Sequence, residues 1–251
     1  MLNVFQKICR EFDWRLVWHH WSAPENLPRE ADVVVFAHSQ FDLGRDGRPY
    51  VGVHMVRDPR DLIVSGYQYH RTTREAWCTN ANLDETPPIT APRVPRWKES
   101  APLKWQQEYL RSLNGKSYQE NLRALPEQEG ITFEMLGHSA WTIDRIREWN
   151  YEDSSVVELR FEDVLADYDA EMRRMFVGLG LDERWVERAV AIAATEDLAR
   201  MDSRRLDTDP HIKSRGASRW QGHLTTEHRR AFKERFGNVA EVLGYEESSE
   251  W

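Results

Sequence analysis

Cysteine is nearly absent: Cys9 and Cys78 are the only two in 251 residues. That is too few for a disulfide framework, and their spacing is not that of a metal-binding knuckle. A reducing compartment is the natural reading. Long apolar runs are missing too, since no stretch approaches the roughly 18 consecutive apolar residues of a membrane span. The opening MLNVFQKICREF carries neither a charged leader nor a cleavage site, so a cytoplasmic protein with no membrane partner is expected. Positive charge is short as well, with a net charge of -8. Affinity for a polyphosphate backbone comes largely from Lys and Arg, so this balance argues against a generic nucleic-acid binder, and any anion must sit in a local basic pocket. No internal repeat and no G-x-x-x-x-G-K phosphate loop occurs.

What is present is the composition of a folded, well-solvated protein: 40% hydrophobic residues with 11 Trp, 8 Tyr and 9 Phe, against 30% charged and a mean hydropathy of -0.72. Residues 1–251 are expected to form a single α/β domain. Leu2, Phe5, Cys9 and Phe12 share one face at helical spacing, so the chain opens inside an amphipathic helix. Arg15 to His20, the β-branched run Ala31 to Ala37, Tyr50 to Val56 and Ser154 to Phe161 read as strands, the second of buried type, with an Asp46-Gly47 turn between the second and third. Helices are expected at 59–73, 104–113, 117–124, 139–149, 165–178, 183–195 and 226–243. Strands separated by helices predict a mainly parallel central sheet covered on both faces, a three-layer arrangement. Five prolines within 77–103 exclude a regular element there, and so long a loop reads as a lid or binding segment.

The most informative stretch is Val53 to Tyr69, VHMVRDPRDLIVSGYQY, in which a buried strand runs straight into a helix start. Asp58 suits the cap, Pro59 the first helical position and Asp61 the positive end of the dipole. Strand-to-helix junctions of this kind favour anions, and Arg57 offers a planar fork of donors suited to phosphate. Ser65 lies seven residues beyond Asp58, two helical turns on and back on the same face. Spacing alone leaves two readings open: an anion site, or a structural ion pair of Arg57 with Asp58 or Asp61 and a Ser65 that only packs. His54, inside a strand, and the pair His19-His20 read as structural.

The run Arg57-Asp58-Pro59-Arg60-Asp61, then Ser65 and the aromatic Tyr67 and Tyr69, resembles the strand-to-helix signature of the PAPS-dependent, cytosolic-type sulfotransferase family. Three further segments agree in order. Ala37-His38-Ser39 resembles the strand-His motif, Glu158 to Tyr168 the strand that ends in an aromatic and an acidic turn, and Lys213 to Trp220 the late basic glycine loop. The resemblance covers about residues 15 to 245. It departs at Ser214, where the family shows a basic residue, and the spacing from Gly216 to Trp220 is one residue short.

The resemblance implies a P-loop-like sulfotransferase fold that transfers a sulfuryl group from 3′-phosphoadenosine 5′-phosphosulfate (PAPS) to a hydroxyl or amine of a small acceptor, with no metal. It assigns His38 as general base, Arg57, Ser65, Arg215 and Gly216 to the 3′-phosphate, and Phe161 to the neighbourhood of the adenine. Residues 77–150 would be the acceptor side, with Trp77, Trp97, Trp105 and Trp141 as pocket walls or, equally, as aromatics filling gaps beneath the loop. The family's opening strand and 5′-phosphosulfate loop have no counterpart before the helix at Met1, so an N-terminally truncated fold is expected, with open strand edges that favour homo-oligomers. Two other functions stay open: a non-catalytic protein that binds 3′-phosphoadenosine nucleotides, and a nucleotide-dependent phosphotransferase.

Overall fold

Helix α1 (Leu2–Phe12) buries Val4, Ile8 and Cys9, with Phe5 and Phe12 packing at the margin. The inward face is therefore turned relative to the Leu2, Phe5, Cys9 and Phe12 stripe, and Leu2 lies half-buried at its edge. The helix stops where Asp13 turns left-handed at φ 56° and the Trp14 N–H returns to the Cys9 carbonyl at 2.8 Å. Asp is one of the few residues that tolerate that conformation.

The structure, a computed structural model, describes residues 1–19, 27–39, 47–82, 93–95, 103–202, 204, 216–248 and 250–251. They group into two compact units, Met1–Arg57 with Glu148–Asp209, and Asp58–Arg147 with Pro210–Trp251.

In the first unit β1 (Leu16–His19) pairs in parallel with β2 (Val33–Phe36), and β3 (Gly52–Val56) pairs in parallel with β4 (Val156–Arg160). The α/β class and the parallel pairing are as expected; among the described residues the strands form two two-stranded sheets. Strand β2 is half-buried throughout, not deeply buried as its β-branched run suggests. It has one partner strand among the described residues, and an edge without a neighbour stays accessible. Gly47, at φ 68°, adopts the turn conformation anticipated for it, while Asp46 lies outside the described residues.

After β4 the chain turns at once through α8 (Phe161–Ala166), α9 (Tyr168–Gly178) and α10 (Glu183–Ala193), closed by a 3₁₀ turn at Ala194–Glu196. Leu159, Met172, Met175, Phe176, Val186 and Val190 join Val4 and Ile8 in one core. Each such side chain, fully buried, contributes roughly 1.5–3 kcal/mol. Helix α9 lies so close to β4 that a Cβ on Gly178 would fall 2.3 Å from Val157 Cγ2.

The second unit is helical. It comprises α2 (Pro59–His70), a single turn α3 (Ala76–Thr79), α4 (Leu103–Ser112), α5 (Tyr118–Ala124), α6 (Glu127–Leu136), α7 (His138–Arg147), α11 (Trp220–His223), α12 (Thr226–Phe236) and α13 (Val239–Val242). Helix α5 opens with a reciprocal capping box between Ser117 and Glu120. Helix α6 is not foreseen by the apolar pattern, because its buried face carries Gly130 and Glu134 beside Ile131 and Met135. The turn α3 corrects the expectation of no regular element from residue 77 onward. The anticipated helix at 226–243 is broken at Gly237, whose φ of 64° ends α12. Among the described residues no helix is long and apolar enough to cross a membrane.

Candidate functional site

The start of α2 is built as its residues dictate. Asp58 Oδ1 accepts the Arg60 N–H at 2.9 Å, Pro59 stands in the first turn, and Asp61 Oδ1 accepts the Trp220 N–H at 2.8 Å. Arg60 is the unexpected member, since a basic residue here would ordinarily reach into water. It is 2% exposed instead. Its fork donates to Asp58 from Nε at 2.9 Å and from Nη2 at 2.7 Å, and Nη1 donates to Glu246. Trp220 and Trp251 close on the guanidinium, with ring centroids 3.9 and 4.4 Å from Cζ. Burial alone would lower the Arg60 pKa, but hydrogen bonds and charge from Asp58 and Glu246 outweigh it and hold the value above the ordinary one. Arg60 thus makes a structural ion pair with Asp58 at the start of this helix.

Arg57 follows β3 directly, as Phe161 follows β4. The parallel register sets Val56 opposite Arg160, so the next residue of each strand comes side by side. The Arg57 guanidinium lies over the Phe161 ring, 4.9 Å from its centroid. A cation with an aromatic platform matches a phosphorylated purine in charge and shape. Ser65 is half-buried on α2, and Gly216 is exposed ahead of α11, both in the second unit; Arg215 lies outside the described residues. His38 is half-buried two residues beyond β2, on the first unit. Of these candidates, Arg57 and Phe161 are in contact.

A second polar group sits on the β3–β4 pair. His54 and Glu158 are register partners on neighbouring strands, with His54 Nδ1 2.7 Å from Glu158 Oε2 and His54 Nε2 2.7 Å from Ser39 Oγ. The imidazole is 8% exposed and stacks on Trp149 at 4.1 Å, while Trp149 Nε1 donates to Glu158 Oε1 at 2.8 Å. Sequence reasoning took His54 for a structural residue. Nothing in the adjoining chain marks it, since Ser39 and Glu158 lie 15 and 104 residues away.

Within the second unit, the Trp77 ring stacks on His138 at 4.6 Å, Trp105 stacks on Tyr109 at 6.0 Å, and Trp141 is 5% exposed. Trp97 lies outside the described residues. Beneath them Glu134 is fully buried. It accepts from Ser139 Oγ at 2.6 Å and Tyr118 Oη at 3.0 Å, and lies 2.8 Å from His70 Nδ1. Burial pushes its pKa up, but His70, His138 and the Ser139 hydroxyl outweigh burial and bring it below the ordinary 4.5.

A model of the sulfotransferase domain matches residues 52–244. No curated protein matches. Among solved structures, the crystal structure of mouse sulfotransferase SULT7A1 complexed with PAP is similar at 12% identity, over 95% of this chain and 78% of that one, with a TM-score of 0.46.

Proposed function

The chain belongs to the sulfotransferase family, and from that premise we propose that it transfers a sulfuryl group from PAPS to a hydroxyl or amine of a small acceptor. The observation that carries this reading is the Arg57 guanidinium over the Phe161 ring at 4.9 Å. That pair supplies what a 3′-phosphoadenosine needs: a planar cation for the phosphate and an aromatic edge for the purine. The family resemblance further assigns Ser65, Arg215 and Gly216 to the phosphate.

His38 takes the acceptor's proton as its oxygen or nitrogen approaches sulfur in line, and an imidazole suits that task near neutral pH. PAPS is the second substrate, and no metal enters the chemistry. We place the protein among soluble enzymes of the cytoplasm, with residues 77–150 on the acceptor side of a single functional domain.

The test is titration with 3′-phosphoadenosine 5′-phosphate, followed by turnover with PAPS and a phenolic acceptor. Arg57→Ala removes charge-assisted hydrogen bonds worth about 1.5–3 kcal/mol, so Kd should rise about 10- to 100-fold. His38→Ala should leave Kd alone and lower turnover about 10²- to 10⁴-fold. An Arg57→Ala protein that binds as the wild type does would refute the site, and unchanged turnover in His38→Ala would refute the base.

A further inference from the structure

The geometry points to a second reactive centre on the first unit, with Ser39 as an acylatable nucleophile, His54 as its base and Glu158 as the group that orients the base. Three features support it independently of the sulfotransferase reading. The first is connectivity: Ser39 Oγ to His54 Nε2 and His54 Nδ1 to Glu158 Oε2 are both 2.7 Å, so one imidazole bridges a hydroxyl and a carboxylate through its two nitrogens. A carboxylate at Nδ1 holds the proton there and leaves Nε2 as the acceptor, which is the tautomer a serine base requires.

The second feature is rigidity. His54 and Glu158 face each other across a parallel strand pair, the imidazole is clamped on Trp149 at 4.1 Å, and the indole N–H fixes the far oxygen of Glu158 at 2.8 Å. Every member except the serine is thereby held on a strand or against a ring, the kind of support a reactive arrangement needs. The third is access. His54 is 8% exposed, while Ser39 is half-buried three residues beyond β2, so the serine is the more accessible of the two.

A purely structural clamp would need neither this order of groups nor that gradient of exposure. The trio holds one anion and no cation, so a neutral carboxylic ester suits it better than an anionic phosphoryl or sulfuryl donor. In the reaction, Ser39 Oγ bonds to the ester carbonyl carbon as its proton passes to His54 Nε2. The C–O bond to the leaving alcohol then breaks, and the alcohol takes that proton. Water, deprotonated by His54, next attacks the acyl-Ser39 carbonyl and releases a carboxylic acid and the free hydroxyl.

The experiment uses the full chain without PAPS, so its outcome is separate from that of the PAPS titration. A fluorophosphonate probe and p-nitrophenyl acetate are added, and the labelled residue is located by peptide mass analysis. The expected result is one label on Ser39 and an acetyl-enzyme burst. Both should be lost in Ser39→Ala and slowed about 10²-fold or more in His54→Gln and in Glu158→Gln. The glutamine at 158 keeps an oxygen for Trp149, so that variant stays informative should His54→Gln fail to fold. An unlabelled folded wild type, a label at another residue, or a Glu158→Gln protein labelled at the wild-type rate would overturn the inference.

Discussion

Replacing Arg60 with alanine tests the strand-to-helix turn most directly, because its consequence can be worked out from the surroundings. Asp58 is 4% exposed and Arg60 2%, so removing the guanidinium leaves a carboxylate away from water without the charge that pairs it. Breaking one side of a buried pair costs about 3–5 kcal/mol. Glu246, with a side chain 23% exposed, recovers solvent and adds little. The guanidinium also fills the space between Trp220 and Trp251, and the loss of two such contacts adds about 1 kcal/mol or more. A total of about 4–6 kcal/mol is a large part of the roughly 5–15 kcal/mol that holds a domain together. Urea unfolding followed by circular dichroism, with hydrogen exchange at the α2 amides, reads the loss. Pairing Arg60→Met with Asp58→Asn should recover much of it, since an asparagine still caps the helix and neither member of the pair is then charged. An Arg60→Ala protein within about 0.5 kcal/mol of the wild type, or a double variant no better than the single, would refute this account.

Two further outcomes follow from buried groups of the second unit. Glu134 has its folded pKa below the ordinary 4.5, so its carboxylate stabilises the fold above the unfolded pKa and that contribution is lost as pH falls through the folded one. Glu134→Gln should therefore be less stable than the wild type at neutral pH, by about 1–3 kcal/mol, and the gap should close in acid below about 4.5. Urea midpoints from neutral pH down to about 3 check it, and a gap that widens in acid contradicts the assignment of an ionised Glu134. Gly130→Ala would ordinarily stabilise a helix by about 0.5–1 kcal/mol. Here the new Cβ would lie 2.6 Å from Tyr67 Cε2, on a ring that is 3% exposed, so a loss of about 1–3 kcal/mol is expected. A variant that melts above the wild type would show that α2 and α6 are packed less closely than this.

Which parts of the molecule could be read from sequence depended on whether the information was local. The start of α2 was legible because cap, proline and first-turn acid each act within one turn of the chain, and Asp58, Pro59 and Asp61 occupy those positions as read. The parallel sense of the strand pairs was legible too, since helices between apolar strands call for crossover connections, whereas which strands pair was not read. Helix α6 was not, because the residues it buries include a glycine and a carboxylate whose burial makes sense only with Tyr67, His70 and Ser139 around them.

The same distinction separates the two polar groups of the β3–β4 pair. Arg57 stood out because it adjoins a recognisable helix start, and its contact with Phe161 then follows from a register that sets both residues one step beyond paired strand ends. His54 could not stand out, because its partners are 15 and 104 residues away and nothing beside it in the chain announces them. A histidine within a strand acquires a chemical role only when the sheet supplies a carboxylate at one nitrogen and a hydroxyl at the other. Strand register is what brings those groups together, and register depends on the packing of the whole unit rather than on the run of residues in which the histidine sits.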